Sequence, residues 1–262
     1  MMVRGNELRR DGVCQTDALN VIRSEITRTP NQGEIENTLR KIYGEPIARP
    51  SAFRSNPPRA SLPTHQDDSL INEVRKSGFN QAALTLESPH ENPDSLSSTE
   101  VLERLFPDDP LLCFAPFPYK CFVKRRSEFY RVESLPYMVP QPMLPSAVSA
   151  KPPEGIRNKD TIGPRKYIVY ESDNLDLDTQ AAVIKRLSSE LPLQVVVHSG
   201  NKSLHAWFRT EGRSEDELIT FKRLAIWMGA CTGPLLRTQL VRTPAAINSK
   251  TGKKQTVLYL SR

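Results

Sequence analysis

The sequence predicts a mixed α/β fold, a β-sheet covered by helices, most clearly in residues 166–262. Three observations predict it. Apolar, β-branched runs recur at Lys166–Glu171 (KYIVYE), Leu193–His198 (LQVVVH) and Leu204–Phe208 (LHAWF), with the length and sharp bounds of buried strands. Two longer segments carry apolar residues at helical spacing. Asp178–Leu191 does so with Ala181, Ala182, Val183, Ile184 and Leu187, and the stretch from Ser214 through Met228 with Leu218, Phe221, Leu224, Ala225 and Met228. The order is then strand, helix, hairpin, helix and two short terminal strands at Gln239–Arg242 and Thr256–Leu260. That order suits a sheet that buries one face under helices.

Upstream, residues 1–68 read as a basic, largely disordered extension and linker. Glu34–Tyr43 (EIENTLRKIY) spaces Ile35, Leu39 and Ile42 as a helix does, and Gly44 stops it. Residues 46–68 are rich in Pro, Ser and Arg, which predicts a flexible linker. Residues 69–165 read as the N-terminal part of the folded domain. Leu70–Lys76 begins it. Ser98–Leu105 is a short helix capped by Ser97-Ser98-Thr99-Glu100 and ended at Pro107. Leu111–Phe114 and Tyr119–Val123 read as strands, and the Pro-rich stretch Pro136–Pro153 leads into residues 166–262. There, Pro192 stops the first helix, Ser199-Gly200-Asn201 makes a tight turn, and Ser214 caps the second helix. The element order is similar to that of an RNA-recognition-type or ferredoxin-like layered sheet.

Composition narrows the function classes. Of 262 residues, 38% are hydrophobic and 22 are Pro, too few large apolar groups for the whole length to pack tightly. The net charge of +6 and pI near 9.2 fit an anionic partner, of which nucleic acid is the commonest, or equally a solubilising surface. MMVRGNELRRDGV lacks the apolar core of a signal peptide, and no apolar run is long enough to span a bilayer. Cys14, Cys113, Cys121 and Cys231 form no CxxC pair, so a zinc site is not expected and a reduced, cytoplasmic protein is.

Two clusters carry chemistry. In Tyr170-Glu171-Ser172-Asp173 the two carboxylates are two residues apart and share a face at a strand end. Converging carboxylates need a cation between them, and hard oxygen ligands suit Mg²⁺ or Mn²⁺; an acidic loop leaving the core would look the same. The second cluster is His198-Ser199-Gly200-Asn201-Lys202-Ser203-Leu204-His205. A Ser199-Gly200-Asn201 turn leaves backbone N–H groups free to meet phosphate oxygens, Lys202 adds charge, and Ser203 and His205 share a face. Trp207 and Trp227 read as core. Lys124-Arg125-Arg126 beside Phe122, Phe129 and Tyr130 interleaves bases with aromatics, as single-stranded nucleic-acid binders do and as buried strands also do.

Glu171-x-Asp173 followed by Ser199-Gly200-x-Lys202-Ser203-Leu204-His205-x-Trp207-Phe208 resembles motifs I and II of the archaeo-eukaryotic primase (primase-polymerase) superfamily, in its bacterial and mobile-element form. Gln239-Leu240-Val241-Arg242-Thr243-Pro244 and Lys253-Lys254-Gln255 extend the likeness. So do Leu105-Phe106-Pro107 with Leu111-Leu112-Cys113, and Val139-Pro140-x-Pro142-Met143; it spans about residues 70–262. The resemblance implies that Glu171 and Asp173 hold catalytic Mg²⁺ or Mn²⁺, with His205 catalytic beside them. It implies that Ser199, Lys202, Ser203, His205 and Arg242 bind the nucleoside triphosphate. A DNA template would follow the acid-free basic tail of Arg237, Lys250, Lys253, Lys254 and Arg262. Two departures stand out. The third carboxylate expected after the long helix is replaced, in Gly229-Ala230-Cys231-Thr232, by Cys231. The Pro-Gly expected after the arginine reads Pro244-Ala245.

The resemblance therefore implies a DNA primase/polymerase-type nucleotidyltransferase in replication of a mobile element, working beside a separate helicase. A module that has lost catalysis and binds nucleic acid or nucleotide is the alternative, and a basic structural protein is a third. The geometric expectation is definite. Glu171 and Asp173 should sit side by side at the end of a central strand and face His205 across a cleft.

Overall fold

Two four-stranded antiparallel sheets, where the sequence pointed to one, organise the residues that the computed structural model describes, 61–148 and 155–262. These belong to the unit Ser61–Arg262, so the fold begins before residue 69 and does not divide at 165. The elements in order are α1 (Asp68–Arg75), α2 (Gln81–Leu86), α3 (Ser98–Leu105), β1 (Leu111–Phe117), β2 (Lys120–Arg125), β3 (Tyr137–Met138) and β4 (Tyr167–Tyr170). After them come α4 (Leu177–Leu187), β5 (Leu193–His198), β6 (Leu204–Arg209), α5 (Glu215–Trp227), β7 (Val241–Arg242) and β8 (Val257–Leu260). The helix expected at Glu34–Tyr43 lies outside the described residues.

The first sheet runs β2-β1-β3-β7 and the second β4-β6-β5-β8. Strand parity decides what each face buries. Tyr167, Val169, Val195, Val197 and Trp207 point from the second sheet toward Phe114, Met138 and Val241 of the first, with Leu102 and Leu105 of α3 in the same cluster. The alternate residues Ile168, Tyr170, Val196, Ala206 and Phe208 point the other way, under Ile184 and Leu187 of α4 and Phe221 and Ala225 of α5. All these strands are therefore apolar on both faces, which is why they read as continuous runs rather than alternating ones.

The strand-helix-strand-strand-helix-strand order is present, but β8 pairs with β5, at the edge away from β4. A ferredoxin-like unit would lay its last strand beside the first. Here the chain leaves α5, contributes β7 to the first sheet, and returns through the Ile247↔Lys254 bridge to the β5 edge. Residues 239–242, expected as a terminal strand of the main sheet, thus serve the other one. Two-residue strands such as β3 and β7 leave no period in a sequence to read.

β4 is consequently an edge strand and not a central one. Its exposed backbone edge is closed by one buried side chain. The Gln141 amide donates to Tyr167 O and accepts from the N–H groups of Lys166 and Tyr167.

The helices start where their caps say. Ser97 with Glu100, and Ser214 with Glu217, form complete capping boxes on α3 and α5, and Asp176 caps α4 through Thr179 N. α4 ends at Leu187, short of the expected Leu191, because residues 188–191 tighten into turn hydrogen bonds before Pro192. Trp207 is fully buried as expected, whereas Trp227 is 42% exposed: it falls on the last turn of α5, outside the stripe of Leu218, Phe221 and Ala225.

Candidate active site

The candidate site lies where β4 and β6 of the second sheet and β3 and β7 of the first approach the same space, a cleft of about 520 Å³. Glu171 follows β4 directly, on the same parity as Tyr167 and Val169, so its side chain faces the first sheet. The β4–β6 ladder ends at Tyr170↔Ala206, and one step on Glu171 and His205 fall opposite each other. His205 therefore stands beside Glu171 on one floor and not across the cleft from it, as a consequence of strand adjacency. Arg242 on β7 forms the facing wall, its guanidinium stacked over the Tyr137 ring at 4.9 Å.

Cys231 arrives by a separate route. Gly229 ends α5 with φ +81°, and Gly229 N→Ile226 O and Ala230 N→Ala225 O are the two hydrogen bonds of a Schellman stop. Tyr170 O–H donates to Met228 O and ties that helix end to β4. The chain is thereby turned so that Cys231 N donates to Glu171 O at 2.8 Å. The ligand atoms of Glu171, Asp173 and Cys231 all lie within 4.8 Å of one another. Cys231 thus joins the two carboxylates as a thiol.

The electrostatics match that crowding. Burial first, and the Asp173 carboxylate second, push the Glu171 carboxyl above its ordinary range, while hydrogen bonds from Cys231 and Ser203 pull it back. Burial and then the Glu171 charge raise the Cys231 thiol to about 11, so without a cation it is neutral. Such a site is short of positive charge. Part of that shortfall is met by Lys202, whose ammonium lies 3.3 Å from Asp173 Oδ1 and donates to Asp173 O at 3.0 Å. Lys202 was expected on a triphosphate; it is paired with the neighbouring carboxylate.

Beside Glu171 at His205, and on the facing wall at Arg242, the shortfall is of negative charge. His205 is buried, and desolvation, with Arg242 and His198 nearby, lowers its ring to about 3, so it is neutral at pH 7. Its Nδ1 has no hydrogen-bond partner, and neither does buried Nη1 of Arg242. Unpaired buried polar atoms are costly, and these two belong to side chains that line the cleft.

The turn of residues 199–203 is more structural than its composition predicted. Ser199 Oγ accepts from Asn201 N and Ser203 N, and lies 3.2 Å from Ser203 Oγ. It is buried, and its hydroxyl is committed to shaping the turn. Ser203 is thereby set against Glu171. Gly200 has φ +74°, and a Cβ there would crowd the carbonyls of Lys253 and Lys254 at 3.2 Å, so a side chain at this position is strained. Asn248 and Thr251 hold the turn from behind through Ser199 O and Gly200 O.

Sequence reasoning missed Gln180. This buried α4 residue donates to Leu175 O and Lys202 O and accepts from Leu204 N, fixing the loops that carry Asp173 and Lys202. The one signal was a Gln inside an otherwise apolar helix face.

The residues of the basic tail lie in different surroundings. Lys250 lines the cleft. Arg237 donates to Lys159 O, Lys254 donates to the carbonyls of Asp94 and Leu96, and Lys253 lies behind the Gly200 turn near His198. The cluster at 124–126 is also structural: Arg126 pairs with Glu103 and Asp109, and Phe129 packs edge-on against Phe114 in the core. Among the described residues, no helix is long and apolar enough to cross a membrane, and Cys113, Cys121 and Cys231 form no disulfide.

No family model, curated protein or solved structure matches this chain.

Proposed function

We propose that the cleft binds a nucleoside triphosphate together with a divalent cation, in a primase-polymerase-type nucleotidyltransferase that makes or extends primers on DNA. One observation carries this reading. Glu171 and Asp173, with the Cys231 thiol beside them, share one cleft of about 520 Å³ with an anion-seeking pair, His205 and Arg242. That size suits a small-molecule ligand. Few ligands other than a metal-bound polyphosphate ask for both kinds of group at once.

The donor set fits a cation: two carboxylates repelling each other, one of them partly buried, with Lys202 on Asp173 and the Arg242 charge reaching Glu171. It fits Mn²⁺ better than Mg²⁺, since a thiol is a soft ligand and Mg²⁺ takes oxygen. When bound, the ion would neutralise phosphate charge and lower the barrier to attack by a primer hydroxyl. The chain's own residues supply the rest. Arg242 offers its fork to phosphate oxygens, neutral His205 donates from one ring nitrogen, Ser203 steadies Glu171, and Gln180 holds the loops. Lys250 and neighbouring basic groups would meet a template.

A second reading is favoured by Cys231 and by the Lys202–Asp173 pair, both of which weaken a magnesium site. It is a module that binds nucleotide or DNA without turnover, recruiting a helicase or polymerase. Primer extension and de novo priming with Mg²⁺ and Mn²⁺ in parallel separate the two. Incorporation in Mn²⁺ that Asp173→Asn abolishes supports the enzyme. Nucleotide binding with no incorporation in either ion supports the binding module.

A further inference from the structure

The hairpin joining β1 to β2 turns through Phe117-Pro118-Tyr119-Lys120, with Phe117 opposite Lys120. Its two aromatic rings are outside the core: Phe117 is 49% and Tyr119 86% exposed. They are nearly parallel, with planes 8° apart and centroids 5.7 Å apart. Large apolar rings held in register in solvent are unusual, and here burial does not explain them. Between them Pro118 lines the cleft, so the aromatic pair begins where the cleft wall ends. Arg157 braces the tip by donating to Pro118 O and to Thr238 O, which joins the hairpin to the chain that leads into β7 and Arg242. Beside the rings Lys120 stands opposite Phe117, and Lys250 lies in the adjoining cleft.

We infer that Phe117 and Tyr119 form a stacking platform for the bases of a single-stranded nucleic acid running past the mouth of the cleft. The inference deepens the nucleotide-binding reading of the cleft and rests on it for its purpose. The rings already touch, leaving no slot between them, so a base stacks on the outward face of Tyr119 with Phe117 supporting the ring from behind. Every base has a π-face, so the contact is indifferent to sequence, and Lys120 and Lys250 are placed to meet the phosphates. A duplex keeps its bases inside and offers no such face.

The test uses the full chain in EDTA without nucleotide, so that its outcome is independent of the cleft. Fluorescence anisotropy compares a labelled oligothymidylate with an abasic oligomer of equal length and charge. Wild-type protein is expected to prefer the oligothymidylate by about tenfold, the size of one good base–aromatic stack. F117A/Y119A should erase that preference and leave binding of the abasic oligomer unchanged, while Y119F should keep it. Both side chains are exposed, and an unchanged melting curve confirms the fold. Equal affinity of wild type for the two oligomers, or a preference that survives F117A/Y119A, overturns the platform. If the protein binds nucleotide but shows no base preference, the platform is wrong and the cleft reading stands. A base preference without nucleotide binding supports the platform and removes the cleft reading.

Discussion

Lys202 places its ammonium 3.3 Å from the carboxylate of Asp173, on the same group that a divalent cation would need. Both side chains are half exposed, so the pair is weak, and a bound ion can displace it. Lys202→Met removes the competitor and one local positive charge. Mn²⁺ affinity, followed by electron paramagnetic resonance of the free ion, should rise about two- to fivefold, the range that an exposed ion pair is worth. Weaker binding would mean that Lys202 orders Asp173 for the metal instead of competing with it.

Cys231 sets the metal preference. With a thiol among the three ligands, Co²⁺ should bind with visible thiolate absorption, and Cys231→Asp should remove that band. The same substitution should tighten Mg²⁺ more than Mn²⁺, because only Mg²⁺ insists on oxygen. A Co²⁺ spectrum identical in wild type and variant would place the thiol outside the coordination sphere.

His205 makes stability depend on pH. Its ring is lowered to about 3 in the folded protein against an ordinary 6.5. Between those values the unfolded chain takes a proton that the folded one refuses. Stability is therefore full above about pH 6.5 and falls as the pH drops below it. From pH 7 to pH 5 the loss from this residue is about 2 kcal/mol. Urea titrations in EDTA should show His205→Asn with a correspondingly shallower decline. Parallel declines would show that the ring is solvated in the folded state.

Ala245 occupies a left-handed backbone position with φ +59°, directly after Pro244. It is buried, and its N–H donates to Gln255 O, so the conformation is held. A Cβ in this region costs about 1–2 kcal/mol, partly offset by the entropy that glycine loses. Ala245→Gly should stabilise the protein by about 0.5–1 kcal/mol in denaturant titration. Destabilisation would mean that packing of the Ala245 methyl outweighs the strain.

The second sheet and its helices were legible because their residues are apolar on both faces and the cap at Ser214 is explicit; the Asp176 cap, which starts α4 at Leu177, was not read. Parity put Ser203 and His205 on one face. Asp173, expected to share a strand face with Glu171, stands in an exposed bend beyond β4, and the loop, not strand parity, brings it to Glu171. The first sheet was only half legible. β1 and β2 have length and composition, but Tyr137–Met138 and Val241–Arg242 exist only because neighbouring strands recruit them. No local pattern could say that β4 would lie at an edge, since that depends on where the chain returns after α5. The partners of Lys202, Lys254 and Gln180 are tertiary as well. A lysine in a polar turn looks the same whether it awaits a phosphate or sits on the next carboxylate.

The central claim is that one cleft takes a cation and a polyphosphate together. Isothermal titration of the protein with a non-hydrolysable nucleoside triphosphate, with and without Mn²⁺, tests it most directly. The account predicts binding that requires Mn²⁺, is lost in E171Q/D173N, and weakens at least tenfold in Arg242→Ala, the scale of a charged hydrogen bond. Nucleotide binding that ignores Mn²⁺ and these substitutions, or no binding at all, would contradict it.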